Sequence, residues 1–239
     1  MKPTLFISDL HLEDAVPARS EWLSAFLTGP ATQADAVYIL GDLFEYWIGD
    51  DALSPTAQHV ADALSNLAAS GVNCYFIHGN RDFMVGEEYA RISGLELLPE
   101  EHVIDLYGTP TLLLHGDSLC TDDIEYQAIR RQVRNPAWQA GALALSIEER
   151  LKMAQQAREA SKQHTGSASM EIMDVNQQAV EAAFGRHNVV RMIHGHTHRP
   201  ARHRLELDTG EAERIVLSDW YEHGSYLQVS KDGIESVRI

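Results

Sequence analysis

A chain of 239 residues is long enough to bury a large core as one domain, or as one domain carrying an insertion. With 44% hydrophobic and 23% charged residues, it has the composition of an ordinary globular protein rather than a disordered or fibrous one. The net charge of −16 argues against a nucleic-acid partner, because phosphate backbones are held by basic surfaces. A phosphorylated small substrate stays open, since a bound cation reverses the field locally.

The opening "MKPTLFISDLHLED" is apolar only briefly before Asp9, which is too short for a signal peptide. Its core, "TLFIS" (Thr4–Ser8), reads as a buried strand leading into Asp9. "PARSEWLSAFL" then reads as a helix opened by Pro17. A second strand, "AVYIL" (Ala36–Leu40), runs into Gly41-Asp42. "SPTAQHVADALSNLAAS" predicts a helix with Ser54 as N-cap, Pro55 in the first turn and Gly71 just past the end. "CYFI" (Cys74–Ile77) leads into His78-Gly79-Asn80, and "TLLL" (Thr111–Leu114) into His115-Gly116-Asp117. Strands alternating with helices indicate an α/β fold with a largely parallel or mixed sheet. The two cysteines, Cys74 and Cys120, lie in no C-x-x-C pair and read as buried reduced thiols.

From Asp122 to about Gly185 the alternation stops and helix-forming segments follow one another: "EYQAIRRQVR", "SIEERLKMAQQAREASKQH" and "MEIMDVNQQAVEAAF". The uncharged run "NPAWQAGALALSI" inside this stretch falls well short of the roughly 20 residues that a membrane-spanning helix needs. Residues 124–166 carry Arg130, Arg131, Arg134, Arg150, Lys152, Arg158 and Lys162 against four glutamates, a local excess of +3 in a strongly acidic chain. Two readings of these cations stand side by side: solvated helix faces, or a basic surface for a phosphorylated ligand. The stretch reads as a helical insertion over the sheet, dividing the chain into a core of residues 1–121 and 186–239 and an insertion of residues 122–185. Beyond it, "VVRMI" (Val189–Ile193) runs into "HGHTH", and "ERIVLSDW" and "SYLQVS" read as strands of a second sheet.

In open α/β sheets, ligands bind beyond the carboxyl ends of the strands. There the sequence places Asp9, His11, Asp42, Asn80, Arg81, His115, His196 and His198. Oxygen and imidazole donors without a thiolate suit a divalent cation such as Mn²⁺, Fe²⁺ or Zn²⁺. Seven candidate ligands are too many for one tetrahedral site and suit two metals sharing a carboxylate, the arrangement that clamps a phosphoryl group from both sides. Asp82 and Asp117 are candidates to hydrogen-bond the ligating histidines. His164, His187 and His203 have no evident partner and read as surface residues.

The ordered set "D-x-H … GD … GN-x-D … H-GD … GH-x-H", spanning residues 9 to 198, resembles the calcineurin-like metallophosphoesterase family. The resemblance implies a β-sandwich flanked by helices. It implies one metal held by Asp9, His11, Asp42 and His198 and another held by Asp42, Asn80, His115 and His196, with Asp42 bridging. The general family pattern has a histidine after the asparagine, where this chain has Arg81. A guanidinium cannot act as a general acid at neutral pH, but it pairs with phosphate oxygens. Arg81 therefore favours a leaving group that needs no proton, such as a phosphate monoester whose second pKa is about 6.

Within the family, "FISDLHL", "YILGDLFEYWIGDD", "FIHGNRDF", "LLPEE", "LHGDSLCTDD", "IMDVN" and "IHGHTHRP" resemble the branch acting on UDP-2,3-diacylglucosamine in lipid A synthesis. That resemblance implies two Mn²⁺ ions and attack of metal-activated water on the α-phosphorus, yielding UMP and 2,3-diacylglucosamine 1-phosphate. It implies a protein resting on the cytoplasmic side of the inner membrane, with no nucleic acid and no obligate protein partner. Asp42, Asn80 and Arg81 would be catalytic. Substrate contacts would come from Asn80, Arg81, Asp123, Ser161, Thr165 and His196. A lysine common at the position of Ala168 is missing here. A different phosphoesterase on the same centre and a non-catalytic metal-stabilised scaffold are the competing readings. His194 is expected to support the site without binding metal.

Overall fold

The computed structural model describes residues 1–167, 174–208 and 210–239, apart from the side chains of residues 162 and 164–167. β1 (Thr4–Ile7), β2 (Ala36–Leu40), β3 (Asn73–Ile77) and β4 (Leu95–Leu97) run parallel, Phe6 lying opposite Tyr38 and Leu40 opposite Ile77. The second sheet has β5 (Glu101–Leu106), β6 (Thr109–Leu114), β7 (Arg191–His194), β8 (Ala201–Leu207) and β9 (Gly210–Val216) in the order β5-β6-β7-β9-β8. β6, β7 and β9 are parallel, with the antiparallel β5 and β8 at the edges.

The expectation that both "ERIVLSDW" and "SYLQVS" belong to the second sheet holds for the first and needs a correction for the second. β9, from "ERIVLSDW", joins the second sheet. The segment "SYLQVS" forms β10 (Ser225–Ser230), which pairs antiparallel with β1 and, with β11 (Gly233–Arg238), completes the first sheet. The unpaired edge of β1 accounts for this: Leu227 and Val229 bury there against the space between the sheets.

The period of two explains the layering. Leu5 and Ile7 of β1 face a core shared with α1 (Pro17–Thr28), α2 (Pro55–Ala69) and α3 (Glu87–Ser93), while Phe6 between them faces the second sheet. In β6, Leu113 points between the sheets, and Leu112 and Leu114 point outward to α7 (Gln177–His187), whose Val180, Ala183 and Phe184 cover them. The result is a sandwich with helices on its outer faces. The α2 signals operate as expected: the Ser54 side chain accepts a hydrogen bond from Ala57 N, and Gly71 takes φ +93° beyond the end.

Between β6 and β7 lie α4 (Ile124–Val133), α5 (Pro136–Leu143) and α6 (Ile147–Ser167) before α7. Among the described residues no helix is long and apolar enough to cross a membrane. Both cysteines are buried free thiols, and burial pushes each up to about 12.

Candidate metal centre

Five loops leave the carboxyl ends of β1, β2, β3, β6 and β7, and each carries one or two of the seven ligand candidates. Their backbones are unusual. Asp9 (φ 56°), His11 (φ 50°), Asp42 (φ 51°), His196 (φ 69°) and His198 (φ 52°) all adopt the left-handed conformation. This region is costly for a residue with a β-carbon and is held only where the surroundings impose it. It also settles the alternating histidines. β7 ends at His194, so His196 and His198 are turned by the loop rather than aligned by a strand.

The structure brings the seven side chains together. His11 Nε2 lies 3.3 Å from His198 Nε2 and 3.8 Å from Asp42 Oδ2, and His198 Nε2 lies 3.4 Å from Asp9 Oδ1. On the other side, His115 Nε2 lies 2.9 Å from Asn80 Oδ1 and 3.7 Å from Asp42 Oδ1, and His196 Nδ1 lies 2.9 Å from the same amide oxygen. The two oxygens of Asp42 thus face the two clusters separately. Asp9 also comes within reach of both. Imidazole nitrogens and carboxylate and amide oxygens converging in this way form a donor set that suits divalent cations.

Hydrogen bonds set the ring orientations. His115 Nδ1 donates to Leu40 O at 2.8 Å, which leaves the Nε2 lone pair facing Asn80 and Asp42. His194 differs. Its Nδ1 donates to Gly195 O at 2.8 Å and its Nε2 faces Arg214 Nη1 at 3.0 Å, so neither nitrogen is left for a cation. Burial first, then the charge of Arg214, pushes its imidazole down to about 3. Burial opposes the charge on Asp9. The hydrogen bond with His198 and the charges of His115, His198 and His11 outweigh it and hold the carboxyl below the usual range.

The surrounding residues are not those the sequence suggested. Asp82 bonds no histidine. It is fully buried and accepts from four backbone N–H groups: Asp42 and Leu43 at 3.3 and 2.7 Å, Phe44 at 3.3 Å and Gly79 at 2.9 Å. It therefore staples the loop after β2 to the loop after β3. Burial, then the neighbouring Asp42, raises its carboxyl to about 6. Asp117 instead accepts from the Tyr126 hydroxyl and Arg130 Nε, both at 2.8 Å. The residue the sequence reading missed is Glu45. Its Oε2 lies 2.9 Å from His11 Nδ1, and although burial opposes its charge, His11, Arg81 and Arg158 hold the carboxyl down to about 2. Its only sequence signal is its place three residues after Asp42. Tyr221 stacks on His11 with ring centroids 5.3 Å apart. Nor is His187 solitary, since its Nε2 lies 2.5 Å from Glu101 Oε2.

The calcineurin-like phosphoesterase family model matches residues 2–200. The chain belongs to that family. It is 54% identical over 236 residues to a protein of Serratia proteamaculans named UDP-2,3-diacylglucosamine hydrolase, covering 99% of this chain and 98% of that one. A protein of the same name from Stenotrophomonas maltophilia is 54% identical over 237 residues, covering 96% of each chain. A solved archaeal phosphodiesterase is 12% identical, with a TM-score of 0.49 and 99% of each chain covered.

Beside the phosphoesterase centre opens a cavity of about 420 Å³. Asn80 and Arg81, from the loop after β3, are among the residues that line it. Its apolar walls come from Trp47 and Phe83 on the core loops and from Ile129, Val133 and Trp138 on α4 and α5. Arg81 reaches across it, donating from Nη2 to Ser161 Oγ of α6 at 3.3 Å, while its backbone N donates to Asp42 Oδ1 at 2.8 Å. Asp123 has another duty, capping α4 by accepting from Tyr126 N at 2.9 Å. The side chain of Thr165 and all of Ala168 lie outside the described residues.

Proposed function

We propose that this chain hydrolyses the pyrophosphate bond of UDP-2,3-diacylglucosamine to UMP and 2,3-diacylglucosamine 1-phosphate. The observation that carries the reading is that Asn80 belongs both to the ligand cluster and to the wall of the apolar cavity, which it shares with Arg81, whose backbone N–H donates to Asp42. A substrate with a diphosphate at one end and acyl chains at the other fits a site that is polar and apolar in that order. The names of the full-length relatives point to the same substrate.

Asp9, His11, Asp42 and His198 would hold one Mn²⁺, and Asp42, Asn80, His115 and His196 the other. When bound, the two cations supply the charge that makes water nucleophilic near neutral pH and draws the phosphate oxygens into line. Water attacks the α-phosphorus and gives up a proton to solvent, a P–O bond to it forms, and the bond to the bridging oxygen breaks. The sugar 1-phosphate leaves with that electron pair and needs no proton, which matches an arginine at position 81. Arg81 steadies the charge on the departing phosphate through two-point contact.

Residues 122–185 would cover the site, with α4, α5 and α6 lining the cavity and α7 anchoring the segment to the second sheet. Asp123, Ser161, Thr165 and His196 would add head-group contacts. The enzyme would rest on the cytoplasmic face of the inner membrane. Ile124 (74% exposed) and Ile129 (58% exposed) on α4, with the exposed Leu143, Leu145 and Ile147 around the turn from α5 to α6, would supply apolar side chains to that surface.

The test is release of UMP from UDP-2,3-diacylglucosamine by the purified chain with Mn²⁺. Hydrolysis of a simple phosphodiester without UMP release would refute the assignment.

A further inference from the structure

Four arginines of the helical segment, Arg130, Arg134, Arg150 and Arg158, are engaged by the loops of the metal centre. Arg158 of α6 reaches the loop after β1, its Nη2 lying 3.3 Å from Glu13 Oε2, and the loop after β2, its Nε lying 3.1 Å from Glu45 Oε1. Arg150, buried to 3% exposure, donates to Ile48 O at 2.6 Å and holds both oxygens of Asp51 at 2.7 and 2.5 Å. Gly49 makes room for it: a β-carbon there would fall 2.4 Å from Arg150 Nη1. Arg134, the C-cap of α4, donates to Gly79 O at 2.9 Å, the backbone immediately before Asn80. Arg130 donates to Asp117 Oδ2 at 2.8 Å, two residues beyond His115. On the loop after β7 the polarity reverses, and Arg199, next to His198, donates to Asp174 Oδ2 at 2.5 Å.

Each of the five loops that carry ligand candidates is therefore tied to residues 122–185 by a charged side chain. The seven candidates lie on separate loops, and five of them hold left-handed backbone that only their surroundings maintain. Something must fix the loops relative to one another. The Asp82 staple joins two of them. The arginines and Asp174 reach all five.

We propose that the helical segment is a positioning clamp for the metal centre, with Arg130, Arg134, Arg150 and Arg158 as positioning residues that raise its affinity for metal without touching a metal. The inference rests on the metal-centre reading above. It makes two demands. Loss of the ties must weaken metal binding although every ligand remains. By reciprocity, metal must stabilise the segment as much as the segment stabilises metal.

The test uses the full chain and Mn²⁺ alone. Calorimetric titration compares the wild type with the Arg134→Gln, Arg150→Gln double variant, and with Arg131→Gln as an exposed control on the same helix. The double variant should bind Mn²⁺ on the order of tenfold more weakly, as expected when groups behind metal ligands are removed, and the control should match the wild type. In the wild type, Mn²⁺ should also slow amide hydrogen exchange in α4 and α6, a readout that needs no variant to fold. Equal Mn²⁺ affinity in the double variant, or exchange in α4 and α6 indifferent to Mn²⁺, overturns the clamp. A wild type that binds no Mn²⁺ overturns the metal-centre reading and the clamp with it. Failure to release UMP while Mn²⁺ binding follows the expected pattern overturns only the substrate.

Discussion

Gly195 packs so closely on Asp9 that a β-carbon at position 195 would fall 2.2 Å from Asp9 Oδ2. The backbone N–H of the next residue, His196, donates to both oxygens of that carboxylate at 3.1 and 2.9 Å. The close approach thus orients Asp9 and places the loop carrying His196 and His198. Gly195→Ala should push the carboxylate away by a large fraction of an ångström. Turnover should fall on the order of a hundredfold, the scale that such a misplacement costs. Metal analysis of the purified variant should show reduced occupancy; full occupancy with normal turnover would contradict the role given to this contact.

The alternating histidines divide by what their ring nitrogens already do. His198→Ala should remove one metal, because its Nε2 faces His11 and Asp9. His194→Ala should keep both metals and lose stability instead, about 2–4 kcal/mol for a buried ring and its hydrogen bonds. Metal content read beside urea denaturation separates the two variants. If both lost metal equally, the distinction would fail.

Arg81→Ala should lower kcat by roughly 10²–10³-fold, the scale of losing one preorganised donor to developing charge, and leave the metal content unchanged. Arg81→Lys should recover only part of the loss, since an ammonium cannot make the two-point contact. Steady-state kinetics on the nucleotide-sugar lipid decides this, and wild-type rates in the alanine variant would remove the leaving-group argument.

Asp82→Ala removes the acceptor for four buried backbone N–H groups. Its cost should be roughly 3 kcal/mol or more, because the orphaned donors keep their desolvation penalty. Denaturation of chelator-treated protein measures this free of any metal contribution. An unchanged midpoint would show that the staple contributes nothing.

Much of the centre is legible in the sequence because each ligand candidate follows a strand within four residues. Short apolar runs such as "TLFIS" and "AVYIL" announce the strands, and Gly, Asp, Asn and His mark where they stop. Helix α2 is equally plain, since its cap, first-turn proline and terminal glycine are local signals. The short or edge strands β4, β5, β8 and β11 carry no such marks. They depend on neighbours for their pairing, as "SYLQVS" depends on the open edge of β1.

What the sequence by itself determined is the list of donors, their order along the chain and the arginine that departs from the family pattern, because donor chemistry and strand-end position are local properties. Only the tertiary structure decided the division of labour among them. Glu45 lies behind His11. Asp82 serves backbone rather than imidazole. His194 turns toward Arg214. Arg130, Arg134, Arg150 and Arg158 are tied to core loops as far as 145 positions away. Such pairings have no periodicity and no fixed spacing. They exist because burial leaves a charged or polar group no stable alternative to the partner that folding brings within reach.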